Sequence, residues 1–232
     1  MVDFLNDILE VIYPNYCACC HASVSESETP ICIQCRSNLP ILITKPFSNN
    51  RQLEQKFEGL LTLKHCISFL KFEKGGSTQR LLHALKYNKR PEIGVVLGKL
   101  LSAEIKNAQS DVHFDLVLPI PLHSKKLKVR GYNQAMKFAE GIADGLNSES
   151  SDEVLIRTKA TETQTKKGRL QRILNVSEVF GVSPLNEDKL MGKDILLVDD
   201  VVTTGSTMEA CAKLLISKPI KSLIIATIAF AS

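Results

Sequence analysis

Two adjacent carboxylates and a loop of small hydroxyl residues carry the strongest chemical signal in the sequence. Asp199 and Asp200 follow the apolar run 195–198, which predicts a strand buried on both faces. The loop comes directly after them and contains Thr203, Thr204, Gly205, Ser206 and Thr207. Because a helix is predicted at 207–217, this loop offers backbone N–H groups, hydroxyls and a helix dipole to a monoester phosphate.

The acids and the loop require a ligand with two different ends. Carboxylates repel an anion, so one phosphate cannot satisfy both features. A ribose 5-phosphate can, because its hydroxyls donate to the acids while its phosphate meets the loop. Gly205 allows the backbone to turn and approach the ligand closely. The segment is not a Walker loop, since it has no Gly-x-x-x-x-Gly-Lys; the alternative is an ordinary capped helix that leaves two aspartates exposed.

Four of the seven cysteines form two Cys-x-x-Cys pairs near the start of the chain, at Cys17, Cys20, Cys32 and Cys35. Each pair aims two sulfur atoms at one point, and two pairs complete a tetrahedral shell for zinc. With every position filled by protein, this zinc would be structural. Cys19 and His21 are close enough in sequence to compete for the metal. Four unrelated thiols or a redox pair are the alternatives.

Short apolar strands alternate with helices through the rest of the chain. Strands are predicted at 114–118, 195–198 and 223–230, and helices at 77–88, 93–106, 133–146 and 207–217. This order indicates an α/β fold, with a parallel sheet flanked by helices. We expect an N-terminal helix (1–13) with the zinc module at 1–45, a polar linker at 45–60, and one α/β domain at 60–232.

Positive charge is concentrated in two segments. The chain has 29 basic and 25 acidic residues, a net charge of +4. The first segment contains Lys125, Lys126, Lys128 and Arg130, and the second spans 157–172. Together they hold ten basic residues and one acidic residue, so the rest of the chain is acidic. Such local excess favours a ligand with several phosphate charges. Direct nucleic-acid binding is the weaker alternative, because no aromatic residues interleave the charges.

The sequence also bears on compartment. No apolar stretch reaches the roughly 18 residues that a membrane helix needs. Asp3, Asp7 and Glu10 stand where a signal peptide would have basic residues. We therefore expect a cytoplasmic chain without a membrane span, whose cysteines are thiols or metal ligands rather than disulfides.

The segment Ile195 to Thr207 resembles the phosphoribosyl pyrophosphate (PRPP) signature of type I phosphoribosyltransferases nearly position for position. Together with the four cysteines, the segments 119–123, 130–134 and 164–175 make nearly the whole chain similar to the ComF family of competence-related proteins. The resemblance implies a type I phosphoribosyltransferase fold, a bound zinc, and PRPP held together with Mg²⁺.

The same resemblance implies a role for each part of the site. Asp199 and Asp200 are expected to hold the ribose hydroxyls, and Thr203 to Thr207 the 5-phosphate. Lys125 and Arg130 are the cations predicted to act on the pyrophosphate, beside Pro121 and His123. A mobile loop that closes over the site is expected to include Gln164, Arg169 and Arg172.

These features predict the type of reaction but not the acceptor. We expect transfer of a 5-phosphoribosyl group to an unknown acceptor, a nitrogen of a base or a related small molecule. The zinc module and residues 60–76 are expected to form the hood that recognises this acceptor. The alternative is a non-catalytic accessory protein that senses PRPP or a nucleotide and contacts proteins of the DNA-uptake machinery, to which the family is linked.

Overall fold

The computed structural model describes residues 15–25, 30–43, 51–58, 65–108, 112–158 and 179–231. The helix predicted at 1–13 lies outside these residues. The small module at the start of the described chain contains the antiparallel pair β1 (Asn15–Tyr16) and β2 (Ser23–Val24), followed by helix α1 (Ile33–Ser37).

Five parallel strands form the main sheet, in the order β3-β9-β8-β4-β5, and β6 and β7 pair separately as an antiparallel ribbon. The strands after the module are β3 (Cys66–Lys71), β4 (Leu116–Pro119), β5 (Glu149–Ser150), β6 (Leu155–Arg157), β7 (Phe180–Val182), β8 (Asp194–Val202) and β9 (Ser222–Phe230). The predicted parallel α/β sheet is confirmed.

Helices cover both faces of this sheet. Their bounds are α2 (Arg51–Phe57), α3 (Ser77–Tyr87), α4 (Glu92–Ala108), α5 (Ser124–Arg130), α6 (Gln134–Leu146) and α7 (Ser206–Ile216), with a 3₁₀ turn at Glu187–Leu190. Leu196 and Val198 of β8 enter the core formed with α3, α4 and α6. Ile195 and Leu197 enter the second core, with α2 and α7. A strand buried on both sides must be apolar at every position, which is why 195–198 was recognisable.

Helices α4 and α6 touch backbone to backbone. A Cβ added to Gly98 would lie 2.4 Å from the carbonyl oxygen of Phe138, and one added to Gly141 would lie 2.1 Å from that of Val95. Only glycine fits at such crossings. This packing fixes the start of α6, where Asn133 caps the helix and its Nδ2 donates to the carbonyl oxygen of Ile120 at 3.0 Å. The end of β4 is thereby tied to α6.

Three local expectations were wrong. The polar stretch 45–60 was expected to be a linker, but residues 51–57 form α2, whose Leu53 and Phe57 are buried one turn apart. The first basic segment is helix α5 rather than a loop. Residues 66–71, placed in the predicted hood, are the edge strand β3, and its first five residues are buried.

Among the described helices, none has the length and apolar character required to cross a membrane.

Candidate functional site

The sulfur atoms of Cys17, Cys20, Cys32 and Cys35 all lie within 4.8 Å of one another. The Sγ atoms of Cys20 and Cys32 are 3.9 Å apart. Tetrahedral zinc with Zn–S bonds of about 2.3 Å requires sulfur separations of about 3.8 Å. The four thiols therefore have the chemistry and spacing to hold a metal such as zinc.

Backbone N–H groups point at these sulfurs, as expected of a thiolate metal site. The N–H groups of Cys19 and Cys32 each donate to the Sγ of Cys17 at 3.4 Å, and that of Cys35 donates to the Sγ of Cys32 at 3.4 Å. Burial raises the pKa of Cys17, but backbone N–H groups, first that of Cys20 and then those of Cys32 and Cys19, lower it to about 6. The thiolate form is thus favoured at Cys17, whereas burial raises the pKa of the Cys35 thiol.

Neither Cys19 nor His21 belongs to the cluster of four sulfurs. The Cys19 side chain is buried, and burial raises the pKa of its thiol to about 12. His21 is exposed and adopts a left-handed backbone, with φ at 61°. The four paired cysteines are therefore the ones that could hold a metal, and Cys19 lies in the core beside them.

Asp199 and Asp200 lie within β8, which continues to Val202 instead of ending before the acids. The backbone N–H of Asp200 donates to Oδ1 of Asp199 at 2.8 Å. Burial, followed by the charge of Asp200, raises the pKa of Asp199 to about 8. Without a ligand the carboxyl group of Asp199 therefore keeps its proton over part of the neutral range, and a nearby cation favours its ionised form.

Lys86 is a member of this site that the sequence analysis missed. Its Nζ lies 3.0 Å from Oδ2 of Asp200, and the two side chains are only 21% and 13% exposed. Lys86 stands at the end of α3, 114 positions before its partner. The amphipathic pattern of α3 was recognised, but a single sequence holds no signal that would join this lysine to a strand so far away.

The loop after β8 turns sharply into α7. Gly205 has φ at 80° and ψ at −9°, a left-handed conformation that glycine adopts without strain. No side chain caps the first turn of α7, so its N–H groups face outward as donors for an anion. Thr203 and Thr204 are exposed, and the hydroxyls of Thr204 and Ser206 are 2.9 Å apart. Thr207 is the second residue of α7.

The segment after β4 runs beside the acids. Pro119 pairs with Val198 across the sheet, and the N–H of Ile120 donates to the carbonyl oxygen of Val198 at 2.9 Å. Pro121 and His123 come next, and both are half-buried. The carboxyl ends of β4 and β8 thus bring both predicted segments to one edge of the sheet, where open α/β sheets bind ligands.

Each basic side chain of this segment has a distinct position. His123 caps α5, with its Nδ1 accepting from the N–H of Lys125 at 3.1 Å. Lys125 is exposed, while the positive charge of Lys126 acts on Asp199, where it partly offsets the effect of burial. Arg130 donates to Gln134 at 2.6 Å and lies over the ring of Tyr87 at 5.6 Å. Of these two lysines, Lys126 is therefore the one whose charge acts on the acid pair.

The second basic segment is largely outside the described residues. Gln164, Arg169 and Arg172, predicted to form a mobile loop, fall in the range 159–178. Arg157 is described at the end of β6, where its guanidinium lies 5.1 Å from the ring centre of Phe180.

The acid pair and the helix start that follows it lie in a part of the chain that is similar to phosphoribosyl transferases. A model of the phosphoribosyl transferase domain family matches residues 133–232, a range that contains the acids and the loop after them. The DNA utilization protein YhgH of Escherichia coli K12 is 32% identical over 139 residues, 59% of this chain and 60% of that protein.

Two competence proteins are also similar. Competence protein F of Haemophilus influenzae is 25% identical over 210 residues, 89% of this chain and 86% of its own length. Competence protein ComFC of Bacillus subtilis is 31% identical over 137 residues, 59% of this chain and 52% of its own. These findings confirm the predicted resemblance: the chain is similar to competence proteins, and residues 133–232 match the phosphoribosyl transferase domain family. It spans only 60% of the length of the YhgH relatives.

Proposed function

We propose that this chain binds PRPP together with Mg²⁺ and transfers the 5-phosphoribosyl group to a nitrogen of a small acceptor, such as a base. The observation that carries the proposal is the acid pair of β8 followed at once by the uncapped start of α7. Carboxylates that can accept hydrogen bonds from sugar hydroxyls therefore lie only a few residues from groups that can donate hydrogen bonds to a phosphate. A ribose 5-phosphate has matching groups at its two ends.

The chain's part in this reaction is positional and electrostatic. The loop Thr203 to Thr207 would hold the 5-phosphate, and Asp199 and Asp200 would accept hydrogen bonds from the 2′- and 3′-hydroxyls. Their carboxylate oxygens are also the hard ligands that suit Mg²⁺, which when bound supplies positive charge to the diphosphate. With the ribose held at both ends, its C1 has a fixed position for attack.

Bond changes at C1 need no histidine base. The bond from C1 to the pyrophosphate oxygen breaks, and its electron pair leaves with pyrophosphate. The acceptor nitrogen forms the new bond to C1 and releases its proton to solvent. Positive groups near the leaving diphosphate stabilise the charge that develops there, a role we assign to Arg130 and to the lysines of α5, with Lys126 ahead of Lys125.

Calorimetric titration of the zinc-loaded chain with PRPP and Mg²⁺ tests the binding half of the proposal. We expect Asp200→Asn to weaken PRPP at least about tenfold, because the lost carboxylate accepts a charge-assisted hydrogen bond. Asp194→Asn is the matched control, since Asp194 lies on the same strand at its far end, paired with Lys221 and Ser222. Unchanged affinity in Asp200→Asn would sink the assignment.

Pyrophosphate release across a panel of acceptor bases tests the catalytic half. We expect release with at least one base and none from Asp200→Asn. Tight PRPP binding with no release from any acceptor would instead favour a non-catalytic protein that senses PRPP.

The relatives point to the setting of this activity. Their names refer to DNA utilization and to competence. We infer that this chain acts in the cytoplasm with proteins of the DNA-uptake machinery. Co-purification of such proteins with the zinc-loaded chain tests the link.

A further inference from the structure

A cleft of about 390 Å³ lies between the four-cysteine module and helix α3. Tyr16, Ala18 and His21 line it from the module, and Arg80 and His83 line it from α3. None of the residues assigned to PRPP contributes to its walls. Its volume falls within the range of sites that bind small molecules.

The two walls of this cleft are joined by a hydrogen-bonded clamp. Nη1 of Arg90 donates to the carbonyl oxygen of Tyr16 at 2.7 Å, while its Nε donates to Glu92 at 2.7 Å. Ala18 is buried in the core that the module shares with α3. The cleft is therefore preformed, which lowers the entropic cost of binding.

The polar groups of the cleft favour an anion. Arg80 uses Nη1 to donate to the carbonyl oxygen of Gly75 at 2.6 Å, and this is one of the five N–H donors of a guanidinium. His21 and His83 add two imidazole rings, both on exposed residues. Among the described residues that line the cleft, none is acidic. Cys17 of the metal cluster also lines the cleft, so an anion would meet these donors on the side of Arg80 and the imidazole rings.

The remaining surface favours a flat ring. Tyr16 is 50% exposed, and Ala18 and Ala84 present small apolar side chains to the cleft. The ring of His83 lies against that of Tyr87, with centroids 4.9 Å apart and the ring planes at 47°. Aromatic faces and small apolar side chains are the surfaces on which a heteroaromatic ring stacks.

We propose that this cleft binds a nucleoside monophosphate, a small anion with a planar aromatic ring, at a site separate from that proposed for PRPP. The inference goes beyond the proposed function because the two sites share no residue. The competing explanation is that Arg80 only offsets the charge of the metal centre, since four thiolates around Zn²⁺ carry two net negative charges. The two explanations predict different ligand binding.

Calorimetric titration of the full, zinc-loaded chain with AMP distinguishes them. We expect AMP to bind, with adenosine and inorganic phosphate each binding more weakly because each supplies half of the ligand. Arg80→Gln should weaken AMP about tenfold, the effect of one charge-assisted hydrogen bond. Arg36→Gln is the matched control, because Arg36 is an exposed arginine of the four-cysteine module that does not line the cleft.

Two further variants keep the test decisive. His83→Leu should also weaken the binding of AMP. Because His83 lies on α3 and not in the four-cysteine module, this variant still tests the cleft if Arg80→Gln loses metal. Thr204→Val alters only the loop assigned to the 5-phosphate. Absence of AMP binding at millimolar concentration, or binding lost in Thr204→Val and kept in both cleft variants, would overturn the inference. Neither result bears on whether PRPP itself binds.

Discussion

Lys86 holds Asp200 in an ion pair, with Nζ and Oδ2 separated by 3.0 Å and both side chains mostly withdrawn from solvent. The carboxylate that we assign to the ribose already has a cationic partner before any ligand arrives. A ribose hydroxyl or a metal ion must share this carboxylate with Lys86 or displace it. The affinity that we propose for PRPP would therefore depend on a residue of α3 as well as on β8.

Replacing Lys86 by methionine should lower the free energy of unfolding by about 2 kcal/mol at neutral pH. The change leaves the largely buried carboxylate of Asp200 without its counter-charge. Leaving a fully buried charge unpaired costs several kcal/mol. Lys99→Met is the matched control, because Lys99 pairs with Asp144 at 2.7 Å while both side chains are more than half exposed. Lys99→Met should lower the free energy of unfolding by less than about 1 kcal/mol. Equal losses in chemical denaturation would show that the Lys86 pair is only a surface contact.

Asp199→Asn should stabilise the protein more at pH 8 than at pH 5. The folded state raises the pKa of Asp199 to about 8, far above its value in an unfolded chain. Between these two pKa values the folded protein binds the extra proton, so rising pH costs stability. Asparagine removes this cost. Thermal unfolding of both proteins at the two pH values measures the effect, and an equal difference at both would contradict the assigned pKa.

Metal analysis of the purified protein should give about one equivalent of zinc, and Cys32→Ser should lose it. Cys19→Ala is the matched control, since Cys19 is buried next to the cluster without belonging to it. Its zinc content should stay that of the unaltered chain. If Cys19→Ala loses as much zinc as Cys32→Ser, the ligand set differs from the paired four.

Gly205→Ala should weaken PRPP and lower stability together. Alanine in the left-handed conformation costs about 1–2 kcal/mol. Gly192→Ala controls for this strain, because Gly192 has φ at 67°, with nothing within 4 Å of an added Cβ, and lies in an exposed turn. Both variants should unfold more easily, but only Gly205→Ala should bind PRPP more weakly in a calorimetric titration. Equal PRPP affinity in the two would show that the loop does not hold the phosphate.

Much of the fold could be predicted because it depends on local pattern. The run 195–198 is apolar at every position since both faces of β8 are covered, and α7 follows directly. The cysteine pairs encode their own geometry, which the sulfur cluster bears out.

The missed parts depend on contacts between distant segments. Among the described side chains of α2, Leu53 and Phe57 are the buried ones, and two positions are too few to give a clear periodic signal. Helix α5 has no buried residue, and its Leu127 and Val129 are exposed, so charge was its only visible feature. Lys86 acquires its role only when α3 packs beside the end of β8.

The shared core of the module and the sheet domain makes the two a single folding unit. Ile31 and Leu39 of the module are buried in the same cluster as Leu81 of α3 and Phe69 of β3. A chain shortened to the sheet domain would expose those apolar surfaces to water and remove the carbonyl that Arg90 binds. Loss of a bound metal would then destabilise the sheet domain as well as the module. The boundary predicted from the sequence therefore separates two chemical roles, whereas the two parts fold as one unit.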